Sequence, residues 1–161
     1  MARSRLQEEL GKRHPFDLPE QEAALNLART ADFLHQPFEQ LFESHGLSGP
    51  QYNVLRILRG HGAGGVPCHA VGEQMVARTP DVTRLVDRLE RAGLAERVRT
   101  PEDRRVVLVR ATAAGLGLLA RLDRPVLDLH RRTLGHLTRA ELAELNRLLV
   151  KARRAPVNGS P

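Results

Sequence analysis

Tryptophan is absent from this sequence, cysteine and tyrosine occur once each, and aromatic residues make up only 3% of it. With Cys68 as the single thiol no internal disulfide can form, which fits a reducing compartment. Scarce aromatics, with basic residues spread along the chain, argue against a helix lying in a membrane surface. No run of about 18 apolar residues occurs, and the start MARSRLQEELGKRHPFD lacks the apolar core of a signal peptide. A cytoplasmic protein with no membrane partner is expected. Lysine is nearly missing too: of 25 basic residues all but Lys12 and Lys151 are arginine. Arginine's planar fork suits phosphate and guanine, although a genome rich in arginine codons accounts for the bias equally well.

Chemistry-bearing motifs are missing as well. There is no nucleophile elbow, Walker loop, dinucleotide fingerprint or zinc-protease spacing, so no enzyme, cofactor or metal is expected. Gly60 to Gly65 is rich in glycine but lacks the lysine and strand-to-helix setting of a phosphate loop, and reads as a connector. His61, Cys68 and His69 carry no paired ligand spacing.

What is present is an ordinary globular composition in 161 residues, 41% hydrophobic and 27% charged, enough for one compact unit. The net charge of +6 attracts polyanions without choosing among them. Apolar residues recur at helical spacing. Leu27, Ala31, Leu34, Phe38, Leu41 and Phe42 stripe a first long helix, opened by Asp17-x-x-Glu20 and expected to kink at Pro37. Gly46 ends it, and Ser48 with Gln51 forms a capping box for a second helix whose inner face is Tyr52, Leu55 and Leu58. A short helix from Cys68 to Val76, a tight turn and a helix from Pro80 to Ala92 follow, the last capped by Thr79. Two strand-like runs, Leu94 to Arg99 and Arg105 to Ala111, flank a turn at Thr100 to Asp103. Thr112 then caps a leucine-rich helix, and Thr138 with Glu141 boxes the last one. Both chain ends read as frayed.

Helix, turn, helix and hairpin from Val66 to Ala111 form a winged-helix pattern, in which a second helix enters the major groove and the hairpin reaches the minor groove. Val82, Leu85, Val86 and Leu89 share one face of that second helix and anchor it. Asp81, Thr83, Arg84, Asp87, Arg88 and Arg91 fall outward, and of these Arg84, Asp87, Arg88 and Arg91 in isolation are more often a solvated, salt-bridged face than a binding surface. Arginines at the hairpin tip shift that balance, because they suit a narrow electronegative groove.

From Thr79-Pro80-Asp81-Val82-Thr83-Arg84 through Arg88-Leu89-Glu90-Arg91-Ala92-Gly93-Leu94, and again at Pro101-Glu102-Asp103-Arg104-Arg105, the sequence resembles the MarR family of transcription regulators, more loosely over residues 20–153. The resemblance implies a mainly α fold with a small β-hairpin wing: a winged helix-turn-helix domain over 46–111, dimerisation helices over 20–45 and 112–153, a flexible arm over 1–19 and a disordered tail over 154–161. It implies a homodimer on a pseudo-palindromic operator of double-stranded DNA, commonly a repressor. DNA contacts fall on Arg78, Thr79, Asp81, Thr83, Arg84, Arg88 and Arg99, with Arg104 or Arg105 entering the minor groove and Asp103 orienting the wing arginine. His35, His45 and Tyr52 fall where the family often keeps a pocket for a small aromatic or lipophilic effector, though packing or surface histidines are the blander reading. Alternatives are an interaction module meeting an acidic protein and a redox-responsive regulator acting through Cys68. Oxidation-sensing relatives carry their cysteine in the first helix, where this chain has none, so Cys68 reads as structural.

Overall fold

The computed structural model of the protein describes residues 3–77, 81–99 and 106–154. A short helix α1 (Arg5–Glu9) precedes α2 (Pro19–Glu43) and α3 (Gly49–His61), and a 3₁₀ turn leads to β1 (Val66–Pro67) and α4 (Cys68–Glu73). Then come α5 (Val82–Arg91), β2 (Ala95–Arg99), β3 (Val107–Ala111), α6 (Ala113–Leu134) and α7 (Arg139–Arg153). This is the winged-helix architecture implied by the sequence, with long helices added on both sides.

The caps explain most of the boundaries. Ser48 and Thr138 each form a reciprocal capping box, with Gln51 and Glu141 respectively, and Thr112 accepts from the Gly115 N–H. Gly46, at φ +73°, closes α2 by leaving the Leu47 N–H to reach the Phe42 carbonyl. At two places the chain departs from the expected boundary. Helix α2 begins not at an Asp17 cap but with Leu18 as cap and Pro19 first, because proline's fixed φ and missing N–H suit that position. It continues across Pro37 to Glu43. Helix α4 stops at Glu73, because Asn53 Oδ1 on α3 accepts the Val76 N–H at 2.8 Å and draws the chain out of the helix. Within the N-terminal arm Ser4 and Gln7 box α1 and Leu6 is buried. The tail over 155–161 lies outside the described residues.

The sheet is antiparallel in the order β1-β3-β2, with Val66 opposite Val109 and Arg97 opposite Val109 on the other edge. Strand β1 has no signal in the sequence, being two residues long. Gly65 admits it: at φ +69° its α-carbon lies so near the Val109 carbonyl that a β-carbon would sit 2.9 Å from that oxygen. The core joins Val54, Leu55 and Leu58 of α3, Val71 of α4, Leu85, Val86 and Leu89 of α5, Val109 of β3 and Leu119 and Leu122 of α6. Helix α3 is thus the hub on which both the winged part and the long helices rest. In contrast α7 contains no buried residue at all.

Candidate nucleic-acid interface

Helix α5 divides as its periodicity requires. Leu85, Val86 and Leu89 are buried with Val82 packed against the same core, while Thr83, Arg84, Arg88 and Arg91 are exposed. Its cap is Asp81, whose Oδ1 accepts the Arg84 N–H at 3.0 Å, and not Thr79. The other oxygen of Asp81 pairs with Arg84 Nε at 2.8 Å, so this carboxylate is occupied within the helix start and serves first to shape it. Arg84 remains 79% exposed in its side chain, and such a pair opens at little cost. Arg99 is exposed at the end of β2. Arg78 and Thr79, and the wing residues Asp103, Arg104 and Arg105, lie outside the described residues.

The structure adds a residue that periodicity did not reveal. Arg97 of β2 donates to Asp87 Oδ1 at 2.6 Å and also to Glu90, two carboxylates one helical turn apart on α5. Asp87 therefore belongs to a clasp between helix and wing strand and not to an open face. Burial pulls the Arg97 guanidinium down, but the hydrogen bonds to Asp87 and Glu90 prevail and raise its pKa above the ordinary arginine value. The pair Arg110–Glu96, at 2.7 Å across β3 and β2, ties the wing internally. Sequence distance hid these ties, since a strand arginine between Glu96 and Val98 carries no mark of its partner.

Cys68 begins α4 and packs against the core, with Sγ 4.0 Å from Thr83 Oγ1. His61 meets Gln74 instead of a metal set, and among the described residues no three His, Cys, Asp or Glu side chains gather. No helix among them is long and apolar enough to cross a membrane.

A cavity of about 400 Å³ opens where α2, α3 and α6 meet the turn leading to α5. Its wall includes His35, Phe38 and Phe42 of α2, Tyr52 and Asn53 of α3, and His130 of α6, closed on one side by residues 75–77. Phe42 stacks on Tyr52 with ring centroids 4.2 Å apart, and Phe38 lies 4.7 Å from His130. Of the three residues expected at a pocket, His35 and Tyr52 are in this wall. His45 is not: its Nδ1 is 2.9 Å from the Leu41 carbonyl and 3.1 Å from Ser44 Oγ, at the end of α2.

Beside the cavity, Arg56 Nη1 donates to the Tyr52 hydroxyl at 3.3 Å and lies 3.9 Å from Asp123 of α6. Arg59 grips the same Asp123 with two hydrogen bonds of 2.8 Å. Those bonds hold the Asp123 carboxyl below the usual carboxylate range. The helix that carries the winged part is thereby pinned to the long helix behind it.

Comparison with known proteins agrees with this geometry. Residues 45–106 match the profile of the MarR family. The chain is 32% identical over 123 residues to the HTH-type transcriptional repressor IacR of Pseudomonas putida, covering 76% of this chain and 72% of that protein. It is 46% identical to a MarR transcription factor from Planctomyces limnophilus of known crystal structure, covering 84% of this chain and 98% of that one with a TM-score of 0.64. BpsR of Bordetella bronchiseptica, solved for the regulation of its DNA binding by 6-hydroxynicotinic acid, is 27% identical over 88% of this chain and 99% of its own, with a TM-score of 0.74. An outward arginine face on a capped helix, a wing clasped to it and a sequence match across both place the chain in the MarR family of DNA-binding, winged-helix transcriptional regulators.

Proposed function

We propose that this regulator works as a homodimeric repressor on a pseudo-palindromic operator, released by a small aromatic or lipophilic effector. The observation that carries the reading is α7, a helix of 15 residues with nothing buried. An isolated helix of that length is marginal in water and draws its stability from packing, so α7 requires a surface outside its own chain. Leu145, Leu148 and Val150 on it, and Leu27 and Phe33 on α2, are exposed apolar side chains that a second copy would cover.

Two-fold symmetry then sets two α5 helices toward successive major grooves, with half-sites about one helical turn apart. Thr83, Arg84 and Arg88 supply groove and phosphate contacts, supported by Arg78, Thr79, Asp81 and Arg99, while Arg104 or Arg105 reaches the minor groove beside Asp103. The aromatic cavity supports the effector part. One of its walls is residues 75–77, which lie between α4 and α5 in the chain, so a bound molecule would act on the segment that precedes the recognition helix. Footprinting on DNA flanking the protein's own gene, with mass measurement in solution, tests the reading. A protected two-fold symmetric segment and a dimer are expected. A monomer, or equal affinity for random DNA at matched salt, overturns it.

A further inference from the structure

The cavity's walls are aromatic and aliphatic, and among the described residues lining it the one carboxylate, Glu39, faces no lysine or arginine in that lining. Glu39 is held in place by the start of α3: its Oε2 accepts the Gly49 N–H at 3.4 Å, and Gly49 leaves room that any β-carbon would fill by overlapping the carboxylate. The positive end of that helix favours the negative charge there. His35 Nδ1 is 3.9 Å from the other oxygen, and the Glu39 side chain itself keeps 37% of its surface exposed, so the carboxylate stays reachable at the cavity.

An aromatic acid entering such a site would bring its carboxylate beside another, with no lysine or arginine in the described lining to offset the loss of water, since the adjacent Arg56 is engaged by the Tyr52 hydroxyl and Asp123. A protonated amine avoids that cost. It meets Glu39 as a counter-charge, and its ring packs on the aromatic wall that Phe38, Phe42 and Tyr52 supply. Resting on the effector reading above, we infer that the cavity selects flat aromatic amines over aromatic carboxylates, with Glu39 as the residue that sets the preference.

Three probes sharing one ring system separate the cases: 2-naphthylmethylamine, 2-naphthol and 2-naphthoate, titrated into the intact protein by calorimetry and scored for release of operator DNA. At pH 8, above the usual imidazole range, the amine is expected to bind at least about tenfold tighter than the carboxylate. Glu39→Gln, which keeps the side chain's shape and its acceptor for Gly49, is expected to shrink that ratio to about threefold or less while naphthol binding holds. Equal or tighter binding of 2-naphthoate by the native protein overturns the amine preference and leaves an effector site standing. An unchanged ratio in Glu39→Gln overturns the role of Glu39. Failure of all three probes to bind overturns the effector reading and the preference together, whereas binding at the expected ratio without operator release overturns the effector reading alone.

Discussion

Arg97 shows how a single side chain can decide what an interface looks like. Its guanidinium spans Asp87 and Glu90 and so fixes the angle between β2 and α5. Replacing Arg97 with alanine leaves two carboxylates without a partner and frees the wing strand from the helix. Charge-assisted bonds at half-exposed sites are worth about 1 kcal/mol each. The melting temperature should fall by a few degrees, and operator affinity by about tenfold, both measurable by thermal denaturation and DNA titration. Unchanged DNA affinity would show that the clasp does not position the helix. Asp123 offers a test by pH. Its carboxyl titrates lower in the folded chain than in the unfolded one, so it adds stability above the unfolded carboxylate range and loses it as pH falls through the folded value. Asp123→Asn should therefore destabilise the protein near neutrality by about 1 kcal/mol or less, since the pair is partly exposed, and the difference from the native chain should vanish in acid. Denaturant melts at several pH values read this directly.

At the scale of elements, α5 was the most legible and its joints the least. Its buried face follows from spacing alone, because a 3.6-residue period places residues 82, 85, 86 and 89 together wherever the helix lies. Its first residue is less legible, since Thr79 and Asp81 are both good caps and only the geometry of the Arg84 N–H shows that Asp81 holds the position. The exposed side of α5 predicts that Arg84→Ala weakens operator binding by about 1–3 kcal/mol and lowers its salt dependence, with subunit association unchanged in sedimentation. The joint between wing and long helix is set by Gly115. A β-carbon there would overlap the Leu94 carbonyl, while Thr112 Oγ1 donates to the Gly93 carbonyl at 2.7 Å and the Thr112 N–H donates to Leu94. Gly115→Ala is expected to cost about 1–3 kcal/mol as an overpacked contact against backbone, seen as a lower denaturant midpoint with a helical content otherwise retained.

For the whole molecule, stability and function meet at the uncovered helices. Charging the exposed stripe of α7 by Leu145→Glu with Leu148→Glu should yield a monomer in sedimentation, reduce helical ellipticity because α7 loses its support, and abolish operator binding at concentrations where the native chain is saturated. Retention of the dimer would place the interface elsewhere. The sequence by itself determined whatever rests on neighbours in the chain: the capping boxes at Ser48 and Thr138, the two faces of α5, the antiparallel β2 and β3 pairing, and the resemblance that follows from α5 and the wing. Such features depend on local backbone geometry, whose period and hydrogen bonds the residues encode within a few positions. Only the tertiary structure decided which charges pair, since Arg59 and Asp123 are 64 residues apart and Arg97 has no local sign of its clasp. It likewise decided that α1 buries Leu6, that α4 ends early for Asn53, and that the cavity takes in His35 and Tyr52 but leaves out His45. Pairing and enclosure depend on which surfaces packing brings together, and no periodicity along the chain records that.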